Sequence, residues 1–158
     1  MSKAILLFFS LFFFTSTTVV SQKLATEEPQ LAIPLSVTTD FNLKFPSQEP
    51  NWVSSYEGRY NQKLVHEARF IFDNRNSSAI YDNVGDLIAF AAVVERSEIP
   101  VEALNYMKEK YPNYSILDTI IVTRGKSDIS YELGILVNGQ YIIKVFSNKG
   151  KFIKSTRA

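Results

Sequence analysis

The stretch SDISYELGILVNGQYIIKVFS, residues 127–147, decides the fold. From Ser127 to Val137 it alternates, with Tyr131, Leu133, Ile135 and Val137 on one side. That period of two marks a strand with one buried face. Asn138-Gly139 is the strongest short hairpin signal in the chain and fits a type I′ turn. Tyr141 to Ser147 then returns as the partner strand. A two-residue turn pairs Val137 with Gln140 and so on outward, which puts Ile142 and Phe146 on the side of Leu133 and Ile135. That side is the expected core. The other carries Ser130, Glu132, Gly134 and Leu136 beside Tyr141, Ile143 and Val145. Lys144 falls on the expected core side, so either the register contains a bulge or the lysine sits near an edge.

The same grammar extends in both directions. Downstream, Asn148-Lys149-Gly150 turns the chain into a last strand, Lys151 to Ser155. Upstream, Ile116 to Thr123 reads as a strand, and Pro100 opens a helix ended by Pro112. In that helix Val101, Leu104, Met107 and Tyr111 share one face, while Glu102, Lys108, Glu109 and Lys110 face water. Earlier still, Leu64, His66, Ala68, Phe70 and Phe72 alternate with Val65, Glu67, Arg69, Ile71 and Asp73 as a strand with one largely apolar face. Asp73 to Asn76 is turn chemistry. Ser78 to Tyr81 and Asp86 to Glu95 are further strands around the turn at Asp82-Asn83-Val84-Gly85, and Trp52 to Tyr56 is another. Thr38-Thr39-Asp40 supplies helix-capping chemistry for one or two turns that Pro46 stops.

Two landmarks recur at a spacing close to 65 residues. Phe45-Pro46 ends the first helix and Tyr111-Pro112 the second. Tyr81 to Ile88 aligns with Phe146 to Ile153, glycine on glycine. Each half therefore reads as a helix followed by a meander of four strands, and two such units can bury what one cannot. The expected fold is α+β: two tandem helix-plus-antiparallel-meander repeats, about 38–95 and 97–156, forming a sheet with helices packed on one face.

The N-terminus carries an export signal. Lys3 precedes an apolar run from Ala4 to Phe14, which fades into Thr15-Ser16-Thr17-Thr18. The run suits a secretory leader and is short of the roughly 20 apolar residues of a membrane span. Val19-Val20-Ser21 places cleavage before Gln22, so residues 1–21 are the signal peptide and 22–37, with Pro29 and Pro34, a linker. The expected location is the periplasm or the cell exterior, with no stable membrane span after cleavage. The chain has 17 basic and 16 acidic residues; without Lys3 the charges balance. Nothing favours nucleic acid, which needs a basic surface. With no cysteine, the exported fold has no disulfide and rests on its core.

These features, in this order, resemble a known group: the PepSY-like proteins exported by Bacteroidetes-type bacteria, related in fold to the beta-lactamase-inhibitor-like tandem repeat. The resemblance covers roughly residues 38–156. Its marks are Phe45-Pro46, Trp52, Phe70-Ile71-Phe72, Tyr81-Asp82, Gly85-Asp86-Leu87, Ile99-Pro100 and Lys110-Tyr111-Pro112. It implies helices on one face of an antiparallel sheet, a periplasmic or surface location, and a role in binding proteins or inhibiting peptidases. It carries over no catalytic residue.

The residues offer little catalytic chemistry. His66 is the only histidine; it shares a strand face with Ala68 and Phe70 and reads as a structural histidine. One histidine and no cysteine make an ordinary transition-metal site improbable. Asp82 to Asp86 lacks the spacing of a calcium loop, and Arg124-Gly125-Lys126 is no phosphate loop. Neither a cofactor nor a catalytic group is expected. The expected function is a non-catalytic binding module, protein-binding or peptidase-inhibitor-like, whose partner is a protein of the cell envelope or exterior. Its candidate contacts lie on the uncovered sheet face: Tyr56, Glu67 and Arg69 from the first half, Glu132, Tyr141 and Ile143 from the second. The alternative is a small-ligand carrier with an aromatic-rich sheet pocket. A hydrolase would need His66 or a carboxylate pair in a cleft.

Overall fold

The computed structural model describes residues 31–58, 62–125 and 127–157. The expected signal peptide, and residues 22–30 of the expected linker, lie outside the described residues. The chain folds as α1 (Leu35–Lys44), β1 (Asn51–Glu57), β2 (Lys63–Phe72), β3 (Arg75–Asp82) and β4 (Leu87–Val93). A 3-10 turn (Arg96–Glu98) follows, then α2 (Val101–Lys110), β5 (Ile116–Arg124), β6 (Asp128–Val137), β7 (Gln140–Ser147) and β8 (Phe152–Arg157). All eight strands form one antiparallel sheet in sequence order.

The hairpin that decides the fold holds its expected register, Val137 on Gln140 through Ser130 on Ser147. Asn138 and Gly139 both have positive φ, 51° and 77°, as a type I′ turn requires. A second hairpin of this kind joins β2 to β3. Asp73 and Asn74 take φ of 51° and 59°, and Phe72 pairs directly with Arg75. Two residues thus make a turn that composition spreads over four, and β3 begins at Arg75 rather than Ser78.

Helix α1 starts at Leu35, not at Thr38. Pro34 is its N-cap and accepts the first helical bond from Thr38 N–H at 3.2 Å. The capping chemistry expected of Thr38-Thr39-Asp40 is used inside the helix instead. Thr38 Oγ1 donates back to the Leu35 carbonyl, and Asp40 pairs with Lys44 one turn on. Leu35, Ser36 and Val37 therefore belong to the helix rather than to a linker, and Val37 is fully buried. Helix α2 likewise has proline, Pro100, as N-cap.

Both helices cover the same side of the sheet. Val37, Phe41 and Phe45 pack on Ala68, Phe70, Ala79 and Tyr81. Ala103 and Met107 pack on Leu133, Ile135 and Phe146. The register joins these strand residues across the sheet: Ala68 faces Ala79, Ala79 faces Phe90, Ile121 faces Tyr131, and Tyr131 faces Phe146. Each helix starts against a glycine turn. A Cβ on Gly85 would lie 2.9 Å from Ser36 Cβ, and one on Gly150 would lie 2.8 Å from the Ala103 nitrogen. Both glycines also have positive φ, so another residue there is strained twice over.

Among the described residues no helix is long and apolar enough to cross a membrane.

Candidate functional site

The face without helices is the candidate site. Strand alternation sends Glu67, Arg69 and Ile71 of β2 there, with Ser78 of β3, Ala91 and Val93 of β4, and Ile120 and Val122 of β5. From β6 and β7 come Ser130, Glu132, Gly134, Tyr141, Ile143 and Val145. One rung runs across it, Arg69–Ser78–Ala91–Val122–Ser130–Ser147. Val65, Ala89, Val122, Ser130 and Val145 are buried, although no helix lies over them. Sheet neighbours alone exclude water from the middle.

A hollow of about 450 Å³ opens at the first-half end of this face, lined by Glu67, Arg69, Ile71, Ser78, Ala91, Val93 and Ile120. Small alanine and serine side chains leave room above the strands, and Ile71, Val93 and Ile120 make most of the lining apolar. Ile71 and Val93 stand on its walls with 63% and 45% of their surface exposed. At the rim the Arg69 guanidinium donates to Glu67 Oε2 at 2.7 Å, which holds the arginine above its usual pKa.

The second-half end is polar. Arg124 donates to Ser130 Oγ at 3.1 Å and Glu132 Oε1 at 3.2 Å. The Tyr141 O–H donates to Asp118 Oδ2 at 2.6 Å. The Tyr141 ring lies across Gly134, where a Cβ would meet its hydroxyl at 2.0 Å. Glycine is thus required at 134 for the ring to lie flat on the strand. Burial, then the bond to Asp118, pushes the Tyr141 phenol up to about 12.

The candidate contacts fall into two groups. Glu67 and Arg69 meet each other at the hollow. Glu132, Tyr141 and Ile143 lie at the other end of the face, by strand spacing about 19 Å away for Glu132 on β6 and about 24 Å for Tyr141 and Ile143 on β7. Tyr56 belongs to neither group. It pairs with Leu64, so it shares the side of Trp52 and Ser54, the helix-bearing one, and is exposed at the end of edge strand β1. Alternation does not carry parity from β1 to β2, so no sequence rule fixes the side of Tyr56. Ile71, Val93, Asp118 and Arg124 were missed. Ile71 carries a weak signal, as an apolar residue on the phase of Glu67 and Arg69; Val93 carries none, because every residue from Leu87 to Val93 is apolar. Asp118 and Arg124 carry none, because their partners come from other strands.

His66 lies on the helix side and is fully buried. Its Nδ1 is 2.8 Å from Ser54 Oγ and its Nε2 is 3.3 Å from Asn83 Oδ1. An amide oxygen only accepts, so Nε2 carries the hydrogen and Nδ1 accepts from Ser54. The ring is satisfied within the core. Asn83 is neutral, where a hydrolase triad sets a carboxylate against the histidine.

The sequence matches no protein-family model and no curated protein. Solved structures do match its fold. A Bacteroides eggerthii protein described as periplasmic aligns with a TM-score of 0.64 at 10% identity, over 80% of this chain and 89% of its own. A BLIP-like protein of Bacteroides fragilis aligns with a TM-score of 0.60 at 14% identity, over 81% and 88%. A DUF2874 family protein of Bacteroides uniformis aligns with a TM-score of 0.62 at 12% identity, over 78% and 88%. At such identities the likeness is one of fold: this chain has the architecture of these Bacteroides proteins, a BLIP-like one among them.

Proposed function

We propose that this chain is an exported, non-catalytic module that binds another protein through the open face of its sheet. The observation that carries the reading is the apolar hollow beside Glu67 and Arg69, with Ile71 and Val93 left exposed on its walls. Large apolar side chains gathered on an uncovered surface mark interaction sites, and charges at the rim set orientation and partner choice. The leader at residues 1–21 supports export, and the periplasmic description of one fold neighbour agrees with it. Kinship with PepSY-like proteins, peptidase-inhibitor-like binding, and an origin by tandem duplication belong to the same reading. The duplication is supported by pairings that repeat 65 residues apart, Ala68 with Ala79 and Leu133 with Lys144.

The test is capture from envelope extract with the tagged protein, compared with Ile71→Asp, with Tyr141→Ala/Glu132→Ala, and with the helix-side control Leu43→Asp. One protein retained by wild type and by the control, but lost with the open-face variants, is the expected result. Loss with the control as well would sink the reading. A second reading, a small-ligand carrier, is favoured by the size of the hollow, which lies in the range of small-molecule pockets. It predicts an apolar compound co-purifying with wild type and absent from Ile71→Asp.

A further inference from the structure

Lys144 is a buried cation with no anion beside it among the described residues. It is 5% exposed and lies on the helix side of β7. Its Nζ donates to Tyr111 Oη at 2.5 Å and to Ser155 Oγ at 2.8 Å, and stands 4.3 Å from the centre of the Tyr111 ring. With the oxygen so much nearer than the ring centre, the ammonium lies off the hydroxyl end of the ring. It gains little from the ring face, which attracts a cation placed over it. Among the described residues no carboxylate pairs with Lys144. Glu109, near the same end of α2, is taken by Lys110 at 2.7 Å. Burying a charge without a counter-ion is costly, and two neutral hydroxyls replace only part of its hydration.

The hydrogens left over point to the missing group. An ammonium has three donors, and two are used. Tyr111 and Ser155 both accept from it, so each keeps an O–H to donate, and neither hydroxyl donates to an acceptor among the described residues. One N–H and two O–H groups are therefore left to donate within one cluster, next to a positive charge. Arg157 adds a second cation on the same side, paired with Ile142 two residues beyond Ser155. Ser155 and Arg157 are exposed and Tyr111 is half-buried, so the cluster is reached from solvent at the β8 edge.

We infer that Lys144, Tyr111 and Ser155 form a carboxylate-binding site at the C-terminal end of α2. A carboxylate accepts several charge-assisted bonds at once and supplies the charge that Lys144 lacks. The site lies on the helix side of the sheet, so it stands or falls independently of the open face.

The probe is sodium acetate, titrated into the purified protein at constant ionic strength with chloride as the balance. The readout is the amide shifts of Tyr111 and Ser155 by NMR. Saturable shifts confined to this cluster are expected. Lys144→Met abolishes them, and Tyr111→Phe and Ser155→Ala each weaken binding several-fold. Those two variants leave the ammonium in place and keep the test open if Lys144→Met does not fold. Shifts that never saturate, or equal binding by all variants, overturn the inference. Saturation by inorganic phosphate with none by acetate overturns the carboxylate assignment.

Discussion

The two halves of the molecule share a backbone plan and fill it with different chemistry. Under α1 the space is aromatic. Phe41 lies 5.0 Å from Phe70 and 5.4 Å from Trp52, and Phe45 lies 4.9 Å from Phe70 and 5.5 Å from Phe90. Under α2 the rings are fewer, with Tyr106 stacked on Phe152 at 4.9 Å and Phe146 5.5 Å from Tyr106, and the helix end is polar. Tyr111 stands where Phe45 stands, and Lys144 where Ala79 stands. The pairing that carries them is the same, Ala68 on Ala79 and Leu133 on Lys144. Even the slip in pairing with the last strand recurs, after Ile80 and after Val145. Register and turn geometry thus match at these places while the side chains differ, because backbone bonding tolerates any side chain that packs.

The aromatic filling makes the first half the more sensitive to truncation. Phe41→Ala removes a fully buried ring at the centre of the cluster and costs about 3–5 kcal/mol. Met107→Ala, at the matching place in α2, costs about 2–3 kcal/mol, because a flexible thioether leaves a space its neighbours fill more readily. Urea unfolding of both variants checks the difference, and equal costs would break the contrast.

The polar filling reverses the sign at Lys144. In acetate-free buffer, Lys144→Met replaces an uncompensated buried charge with an apolar chain and stabilises by about 1–4 kcal/mol, read as a higher Tm. A lower Tm would mean that the hydroxyls fully compensate the charge.

A third contrast concerns one hydroxyl. Tyr81 and Phe146 occupy equivalent places, facing His66 and Tyr131, and both are fully buried. Tyr81 Oη and Asp40 Oδ2 are buried without hydrogen-bond geometry. Burial, then the nearby Asp40 carboxylate, raises the Tyr81 phenol well above its usual range. Phe146→Tyr places an unpaired hydroxyl in the core and costs about 1–3 kcal/mol, whereas Tyr81→Phe removes one and leaves stability unchanged or higher. Thermal unfolding of both compares them directly.

The smallest effect is at Tyr141. The folded phenol, at about 12, lies above the unfolded value of about 10. Its contribution is therefore complete below pH 10 and is lost as the pH rises toward 12. Tyr141→Phe costs about 1 kcal/mol at neutral pH and flattens the fall in stability across that alkaline window. An unchanged alkaline profile would show that burial and the bond to Asp118 together do not shift the folded phenol.

The sequence by itself determined the strands, both glycine turns, the second helix and the side of the sheet that the helices cover. Each of these follows from local rules: period-two alternation, positive-φ turn residues, and prolines at helix ends. It also set Glu67, Arg69, Glu132, Tyr141 and Ile143 on the uncovered face, since alternation fixes parity within a strand. Only the tertiary structure decided that Tyr56 lies on the other side, because alternation fixes parity within a strand and not from β1 to β2. It also decided that the uncovered face divides into an apolar hollow and a polar end, and that Lys144 lies against Tyr111 and Ser155. Those arrangements depend on residues from different strands and on the seating of each helix, distances that no local pattern encodes.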